Sequence, residues 1–419
     1  MGVGRKARTW FVREGPSPYP LPNGERSVTR TLRYDGWVTY DAIGVGAGPA
    51  GSTAARELAA SGARVLIVDR AAFPRYKACG GGIPVRTERL LPFPITSVVE
   101  DSVDRLDVTY NGRSRFVRRS GAPFAHMVMR DRFDALLLEQ AQRAGAEFRP
   151  ATTVRSLDLH GAPTIHAEGF SASARMLICA DGAHSPVGRM AGLGAEIAEC
   201  AAWEVEVQAG PRVRQFRARS LIELGYRPWG YAWLFPKREL LSFGIVLPRD
   251  QAGTMKAEVA AFLARFGLED APVSIARGHK IRFRRGHEPI ATGRMLLAGD
   301  AAGLADEFTQ EGIFYAIESG RIAARSVLDA LAREGTLAGY ERAIDAEIMP
   351  ELRAARLIAF MFYGMLRRAP RPWMVASGRL GYLWDAFFAI QRGETSYARE
   401  VARIPVLPRI AAHLMARQP

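Results

Sequence analysis

The patterned part of the chain begins with two short apolar runs that flank an alanine-rich stretch. The first run ends at Val45, the second spans residues 65–68, and three glycines in the spacing GxGxxG follow the first run directly. Short apolar runs of this kind are typical of buried strands. The pattern predicts a strand that starts near Tyr40, a tight turn, a helix that starts near Ala50, and a second strand.

Two later apolar runs also lead into segments that contain Asp and Gly. Residues 176–180 lead into ADGAHSPVGR, and residues 295–298 lead into GDAAG. Between the first and second motifs, VMRDRFDALLLEQAQRAGAEF has apolar residues at helical spacing, with Phe133, Leu136, Leu137 and Ala141 on the buried face and Gly145 at its end. The chain therefore predicts an α/β fold with three motifs at the carboxyl ends of buried strands. Open parallel sheets bind ligands at that edge.

Alternating apolar and polar residues mark a second kind of segment. Residues 95–124 alternate around the hairpin signal Asn111-Gly112, and residues 200–283 alternate again. A period of two predicts the half-buried strands of a second, antiparallel sheet that forms a lid or floor for the first. Beyond about residue 335 the pattern predicts helices only.

These patterns divide the chain into four parts. Residues 1–38 are a basic tail with no sustained period. We expect a discontinuous nucleotide-binding domain at 39–94, 125–195 and 284–335, a β-sheet substrate domain at 95–124 and 196–283, and a helical C-terminal region at 336–419.

The charge of the chain is strongly positive. Lys and Arg number 57 against 43 Asp and Glu, a net charge of +14. This balance suggests an anionic neighbour, such as an anionic lipid or a phosphorylated substrate, and because no dense basic block occurs we expect no nucleic acid partner. The cysteines Cys79, Cys179 and Cys200 form no CxxC pair and no metal-ligand spacing, and no apolar run approaches twenty residues. We expect a cytoplasmic protein without a bound metal.

The glycine motif indicates a bound dinucleotide. Gly46 allows the tight turn, Gly48 lets the backbone approach a pyrophosphate, and Gly51 packs the helix against the sheet. The N-terminus of the helix attracts phosphate groups, and Asp69 at the end of the second strand is placed to accept hydrogen bonds from a ribose. Three carboxyl-end motifs spread along the chain then imply one extended cofactor that crosses this edge.

The three motifs together give the chain a resemblance to a known group of proteins. The three motifs are similar to those of the glutathione-reductase-type FAD fold in the p-hydroxybenzoate-hydroxylase superfamily. Within that superfamily, KACGGG at residues 77–82 and YAWLFPK at residues 231–237 resemble the geranylgeranyl reductase family. The resemblance covers roughly residues 40–335.

The resemblance implies a set of cofactor residues. They fall at the pyrophosphate, the adenosine ribose, the ribitol side and the flavin ring: Gly46, Gly48, Ala50, Gly51, Asp69, Arg70, Cys79, Gly80, Gly82, Arg130, Asp181, Gly182, Asp300, Gly312 and Ile313. Glu311, just before the predicted helix N-terminus at the flavin's pyrimidine edge, is expected to point away from the flavin or to be neutral.

The family also implies a reaction, the reduction of isolated isoprenoid double bonds with a hydride from flavin N5 and a proton. Cys79 is the best-placed candidate for the proton, although a packing role suits a cysteine equally well. Tyr231, Trp233 and Phe235 alternate, so they share one strand face, which suits a long polyene or an ordinary sheet core. The electron donor stays open between transiently bound NADPH and a ferredoxin-type protein.

Two further segments have competing interpretations. Arg282, Arg284 and Arg285 could meet a diphosphate, but a solvated strand face is the favoured interpretation. The apolar stretch at residues 357–366 lies among arginines and aromatic residues. It could contact the lipid headgroup zone at the membrane periphery, or it could cap a substrate tunnel.

The main alternative function is an FAD-dependent monooxygenase or halogenase on the same fold. Residues 229–233 do not spell the WxWxIP of flavin halogenases, and Phe235-Pro236 follows the reductase form. A non-catalytic lipid carrier that keeps FAD only structurally is a further alternative.

Overall fold

The structure is a computed structural model that describes residues 39–404 apart from 227, 228 and 287. The predicted basic tail at residues 1–38 lies outside the described residues. The strands are, in chain order, β1 (Thr39–Val45), β2 (Val65–Val68), β3 (Gly82–Pro84), β4 (Val99–Val103), β5 (Arg105–Tyr110), β6 (Ser114–Arg119), β7 (Ala125–Val128), β8 (Glu147–Arg149), β9 (Val154–Asp158), β10 (Thr164–Ala167), β11 (Phe170–Cys179), β12 (Ala198–Val207), β13 (Arg219–Leu224), β14 (Tyr231–Pro236), β15 (Leu241–Pro248), β16 (Val273–Phe283), β17 (Ala291–Thr292) and β18 (Met295–Leu297). The helices are α1 (Pro49–Ala60), α2 (Arg130–Arg143), α3 (Pro186–Met190), α4 (Met255–Ala264), α5 (Ile313–Ala332), α6 (Tyr340–Glu347), α7 (Met349–Arg368), α8 (Pro370–Arg379), α9 (Gly381–Arg392) and α10 (Tyr397–Ala402).

The main sheet has the order β17-β18-β11-β1-β2-β8, with β10 and β9 added beside β11. The pairs β18–β11, β11–β1, β1–β2 and β2–β8 are parallel. Because both faces are covered, the four residues of β2 are all buried, as the apolar run VLIV predicts. The carboxyl ends of β1, β11 and β18 therefore meet at one edge, and each leads into one of the three predicted motifs.

The second sheet has seven strands in the order β16-β12-β15-β14-β13-β5-β6. It is antiparallel except where β13 pairs with β5, because β5 and β6 form a hairpin that comes from an earlier part of the chain. The hairpin turns at Asn111-Gly112, as predicted, with φ angles of 49° and 64°. One face packs Leu234, Phe243 and Ile245 against α4, so the opposite face is left to form the floor of a cavity.

The helical C-terminal region covers a third, small sheet in the order β3-β7-β4 and the start of the second sheet. Tyr363, Trp384 and Phe388 pack with Phe124 and Met127 in one cluster. None of the helices in the described part of the chain combines the length and the hydropathy that a membrane span requires. The apolar stretch at residues 357–366 lies within α7 and is partly buried in this packing.

Helix α2 follows the predicted pattern with two differences. From the sequence we expect Arg130 just ahead of the helix, but it is the first residue of α2. Phe133 and Ala141 are buried as predicted, but Leu138 takes the buried position expected of Leu136. Gly145 follows the helix with a φ of +106°.

The interpretation of Arg282 and Arg284 as a solvated face is wrong. Their residues are only 6 % and 3 % exposed. The Arg282 guanidinium donates to the carbonyl oxygens of Ala301 and Gly194, and that of Arg284 contacts Asp345 at 2.7 Å. These side chains cross between segments and satisfy buried carbonyls, which a strand-by-strand pattern does not reveal.

Candidate flavin site

One cavity of about 670 Å³ joins the edge of the main sheet to the second sheet and the C-terminal helices. Seventeen of the eighteen predicted cofactor and substrate residues line it: Gly46, Gly48, Ala50, Asp69, Arg70, Cys79, Gly80, Gly82, Arg130, Asp181, Gly182, Tyr231, Trp233, Phe235, Asp300, Gly312 and Ile313. Gly51 does not line it. A Cβ there would lie 1.9 Å from the Gly46 carbonyl oxygen, so Gly51 is a packing position.

The glycine loop leaves space in front of α1. Gly46 has a φ of +100°, and a Cβ at this position would lie 2.3 Å from the Ala180 carbonyl oxygen. By contrast, a Cβ at Gly48 would meet only the Arg75 Nη2 atom, at 3.8 Å. The N-terminus of α1 therefore faces open space, and the N–H groups of a helix N-terminus can bind a phosphate group.

Asp69 lies at the end of β2 and holds the same loop. Its Oδ2 atom accepts the Ala47 N–H at 2.8 Å, and its Oδ1 atom accepts the Ala71 N–H at 2.8 Å. Arg70 lies next to it and is exposed. The carboxylate thus lines the cavity beside the glycine turn.

The second motif is organised by Asp181. Its two oxygens accept the Ser185 hydroxyl at 2.7 Å and the Val187 N–H at 2.9 Å, so the carboxylate caps the short helix α3. Burial raises the pKa of Asp181, although these hydrogen bonds oppose the change. Gly182 has a φ of +80° and has no atom within 4 Å of a Cβ built there.

The third motif meets the KACGGG segment through an ion pair. Lys77 Nζ lies 2.9 Å from Asp300 Oδ2, and His279 Nε2 lies 3.8 Å from the same oxygen. Burial by itself would raise the pKa of Asp300, but Lys77 and His279 hold it well below its usual range. Asp300 is therefore a fixed negative charge in the lining of the cavity.

Arg130 is a second buried charge at the cavity wall. Its guanidinium donates two hydrogen bonds of 2.8 Å to Asp134, one turn later in α2, and Arg75 Nη1 contacts the same carboxylate at 2.9 Å. Burial by itself would raise the pKa of Asp134, but Arg130 lowers it. The hydrogen bonds fix the guanidinium, which also lies near Cys79.

The KACGGG segment at residues 77–82 forms a loop, called the Cys79 loop below. It packs directly on β14, the aromatic strand that carries Tyr231, Trp233 and Phe235. A Cβ at Gly80 would be 2.8 Å from Trp233 Nε1 and 3.0 Å from Phe235 Cδ2. The Gly81 N–H donates to the Cys79 sulfur at 3.4 Å. Only glycine permits so close an approach of residue 80 to Trp233 and Phe235, which explains the glycine at this position of the loop.

The three aromatic residues share one face, as their alternation predicts. The ring centroids of Tyr231 and Trp233 are 6.3 Å apart, and those of Trp233 and Phe235 are 6.2 Å apart. The Tyr231 hydroxyl donates to the Thr309 carbonyl oxygen at 2.5 Å. The phenol is thereby held against the loop before α5.

The N-terminus of α5 reaches the same space. A Cβ at Gly312 would lie 3.3 Å from Asp300 Oδ1. The Glu311 carboxylate turns to its own helix, because its Oε1 atom accepts the Phe314 N–H at 2.8 Å. Burial raises the pKa of Glu311 to about 7, so its neutral form is accessible near neutral pH.

Beyond the aromatic strand the cavity becomes apolar and reaches the C-terminal helices. This part of the cavity is called the apolar slot. Its lining there includes Phe124, Met127, Leu224, Phe308, Phe362, Trp384 and Phe387. A site with polar groups at one end and hydrocarbon at the other suits a cofactor beside an apolar substrate.

Four residues of the site were missed by sequence reasoning. Glu204 and His279 line the cavity from β12 and β16, Lys77 pairs with Asp300, and Lys237 is buried beneath the Cys79 loop. Lys77 and Lys237 lie within the two segments that resemble the geranylgeranyl reductase family, KACGGG and YAWLFPK, so these motifs could have indicated them as site residues. Glu204 and His279 stand in alternating strands where polar residues are ordinarily solvated.

The residues of this cavity fit FAD. The open space before α1, the carboxylates of Asp69 and Asp300, and the N-terminus of α5 are the groups that pyrophosphate, ribose and ribitol hydroxyls and the pyrimidine edge of a flavin require.

Comparison with known proteins agrees with this fit. Residues 39–306 match the family described as FAD binding domain. Geranylgeranyl diphosphate reductase of Rhodobacter capsulatus is 30% identical over 315 residues, 69% of this chain and 75% of that protein. Digeranylgeranylglycerophospholipid reductase of Methanosarcina acetivorans is 28% identical over 312 residues, 70% of this chain and 76% of that protein.

Solved structures share the fold. A geranylgeranyl bacteriochlorophyll reductase-like protein of Thermoplasma acidophilum has a TM-score of 0.67 at 24% identity, covering 79% of this chain and 92% of that one. The flavin-dependent brominase Bmp2 has a TM-score of 0.70 at 18% identity, covering 91% of this chain and all of that one. The chain is thus an FAD-dependent oxidoreductase. It belongs to the geranylgeranyl reductase family.

Proposed function

We propose that this protein saturates isolated C=C bonds in a polyprenyl group of the geranylgeranyl type. The observation that carries the proposal is the position of the Cys79 loop. It lies on the aromatic face of β14, between the cofactor-binding end of the cavity and the apolar slot. A hydrocarbon chain in that slot would have its double bonds beside the flavin ring.

The chemistry divides between the cofactor and the protein. When bound, reduced FAD supplies a hydride from N5 and returns to its oxidised form. Saturation also needs a proton at the other carbon, and because an isolated alkene accepts hydride poorly, a positioned acid must act as the hydride arrives. Cys79 is our candidate for that acid, with Tyr231, Trp233 and Phe235 holding the chain and excluding water.

The cofactor residues have proposed roles along the cavity. Ala50, at the start of α1, faces the pyrophosphate with its backbone N–H group, Gly51 packs the start of α1 against the glycine turn, and Asp69 accepts from the adenosine ribose. Arg130 and Asp181 lie beside that region, and Asp300 accepts from the ribitol. Gly80 and Gly82 line the ring, and Gly312 and Ile313 present the N-terminus of α5 to it.

The electron donor and the division into domains are further proposals. NADPH bound transiently in the same cleft and a ferredoxin-type protein are both compatible with a chain that has a single GxGxxG. We retain the predicted domain boundaries, and we retain a cytoplasmic location.

We propose that the C-terminal helices contact an anionic membrane at its surface. Large apolar residues are exposed on α7 to α9 and at their junctions: Phe360, Met365, Val375, Leu380, Tyr382 and Leu383. Exposed arginines accompany them: Arg367, Arg368, Arg371 and Arg379. The inner sides of α7 and α9 line the apolar slot, so a lipid substrate would have a short path from the bilayer.

Flotation with phosphatidylglycerol vesicles tests this membrane contact. It should show binding that weakens as salt is raised, and binding unaffected by salt would contradict an electrostatic contribution of the arginines.

Activity without oxygen tests the proposed reaction. The purified holoenzyme is supplied with dithionite under nitrogen and with a panel of polyprenyl diphosphates and prenylated lipids. We expect a mass gain of two hydrogens per reduced double bond. A product that forms only in air and contains oxygen or halogen would favour the monooxygenase or halogenase alternative, whose fold is shared with the brominase. Bound flavin that no reductant bleaches would favour the non-catalytic carrier.

A further inference from the structure

Two opposite charges are buried beneath the Cys79 loop. Glu204 on β12 and Lys237, the residue after β14, are each only 2 % exposed. Neither forms an ion pair within 4 Å among the residues that the structure describes. Burial of a charge without a direct counter-ion is costly, so their hydrogen bonds must account for their presence.

Glu204 holds the loop by its backbone N–H. Its Oε2 atom accepts the Cys79 N–H at 2.5 Å and the Tyr76 hydroxyl at 3.1 Å. Its Oε1 atom accepts the Ser242 hydroxyl at 2.9 Å, and that hydroxyl in turn accepts the Trp233 indole N–H at 3.2 Å. Both carboxylate oxygens are engaged, so the side chain has a fixed orientation.

Lys237 holds Gly80, the residue after Cys79, through the Gly80 carbonyl group. Its Nζ atom donates to the Gly80 carbonyl oxygen at 2.6 Å and to the Val128 carbonyl oxygen at 2.9 Å. The Gly81 carbonyl accepts the Val128 N–H at 2.8 Å. A Cβ at Gly81 would lie 2.8 Å from the lysine nitrogen, so the loop passes over the ammonium where only glycine fits.

We infer that Glu204 and Lys237 are positioning residues that fix the backbone of Cys79 and Gly80, and thereby the direction of the Cys79 thiol. The role of the thiol as a proton donor rests on the proposed function, whereas the geometry of the loop does not depend on it. A hydrocarbon pair at these positions would leave the Cys79 N–H and the Gly80 carbonyl without their partners. The loop would then have several conformations in place of one.

Other charged and titratable groups face the same pair. Glu206 and Glu100 lie near Lys237, and Tyr76 lies near Glu204. Arg130 approaches Cys79 from α2. Glu206 provides a matched control, because it is two residues from Glu204 on the same strand and is 6 % exposed. It does not line the cavity.

The test measures the reactivity of Cys79 in the FAD-loaded protein. Iodoacetamide modification at Cys79 is followed by mass spectrometry in the wild type, Glu204→Gln, Lys237→Met, Lys237→Arg and Glu206→Gln. Cys179 and Cys200 are buried and serve as internal references. We expect the Cys79 rate to change at least about threefold in Glu204→Gln and Lys237→Met. It should stay near the wild-type rate in Glu206→Gln, and Lys237→Arg should restore part of the change.

Turnover gives the second readout. If the wild type reduces a prenyl substrate, kcat should fall roughly ten- to hundredfold in Glu204→Gln while KM changes little. Wild-type modification rates in both Glu204→Gln and Lys237→Met would overturn the inference. If Lys237→Met does not fold, Glu204→Gln alone decides. A changed rate in a protein that reduces no prenyl compound would retain the inference and reject the proposed function.

Discussion

The Lys77 ammonium lies 2.9 Å from the Asp300 carboxylate, although 223 positions separate the two residues. This contact joins the KACGGG loop to the third motif at the edge of the main sheet. It places a fixed negative charge where the ribitol of FAD is proposed to lie. The contact is therefore the clearest sign that distant motifs serve one cofactor.

Replacement of Asp300 should weaken FAD binding without loss of the fold. We expect Asp300→Asn to raise the Kd for FAD about ten- to hundredfold, because a hydrogen bond to a charged group contributes about 1.5–3 kcal/mol. Fluorescence titration of apoprotein with FAD measures the change. Asp158→Asn, an exposed carboxylate on β9, is the control and should bind FAD like the wild type. An unchanged Kd in Asp300→Asn would contradict the proposed ribitol contact.

The second and third glycines of the motif should respond differently to substitution. Gly51→Ala forces a Cβ to within 1.9 Å of the Gly46 carbonyl oxygen. We expect a loss of stability of about 1–3 kcal/mol or more, seen as a lower Tm of the apoprotein. Gly48→Val has space for its Cβ. It should leave that Tm nearly unchanged while it blocks the approach of the pyrophosphate and lowers FAD affinity. Equal effects of both variants on Tm would contradict the claim that a side chain at position 48 has open space in the apoprotein.

Cys79 should matter to turnover more than to flavin binding. We expect Cys79→Ala to lower kcat for prenyl reduction about a hundredfold while the flavin absorption spectrum stays close to that of the wild type. Cys79→Ser keeps a weaker proton donor and should retain more activity than the alanine variant. Wild-type kcat in Cys79→Ala would assign the cysteine to packing.

Stability should depend on pH through Glu206. Burial and the neighbouring Glu204 raise the pKa of Glu206 from 4.5 to about 7. The native state therefore keeps this proton where the unfolded state has released it. The stability that the protonated group contributes is complete below pH 4.5 and is lost as the pH rises through 7. The loss is at most about 3 kcal/mol.

Urea unfolding of the apoprotein between pH 4.5 and pH 8 measures this loss. Glu206→Gln should flatten the profile, although the raised pKa values of Glu311 and Glu318 leave part of the slope. A profile as steep in the variant as in the wild type would contradict the assignment to Glu206.

The frame of the site could be predicted because local rules determine it. The glycine spacing, the four-residue run of β2 and the hairpin at Asn111-Gly112 each depend on neighbouring residues alone. The shared face of Tyr231, Trp233 and Phe235 follows from strand geometry in the same way.

The charged interior could not be predicted, since it depends on long-range contacts. Glu204 is buried because the Cys79 loop folds over β12, and Arg282 is buried because two carbonyl groups approach it from other segments. A pattern with a period of two assigns such residues to the solvated face. The pairing of Lys77 with Asp300 likewise follows from the meeting of two loops and not from either sequence.

The central claim is that a reduced flavin in this cavity transfers its electrons to a prenyl double bond. A single-turnover experiment tests it most directly: photoreduced holoenzyme is mixed with geranylgeranyl diphosphate in a stopped-flow instrument without oxygen. We predict reoxidation of the flavin near 450 nm together with a product heavier by two hydrogens for each flavin oxidised. Flavin that stays reduced until air is admitted, with prenyl compound recovered unchanged, would contradict it.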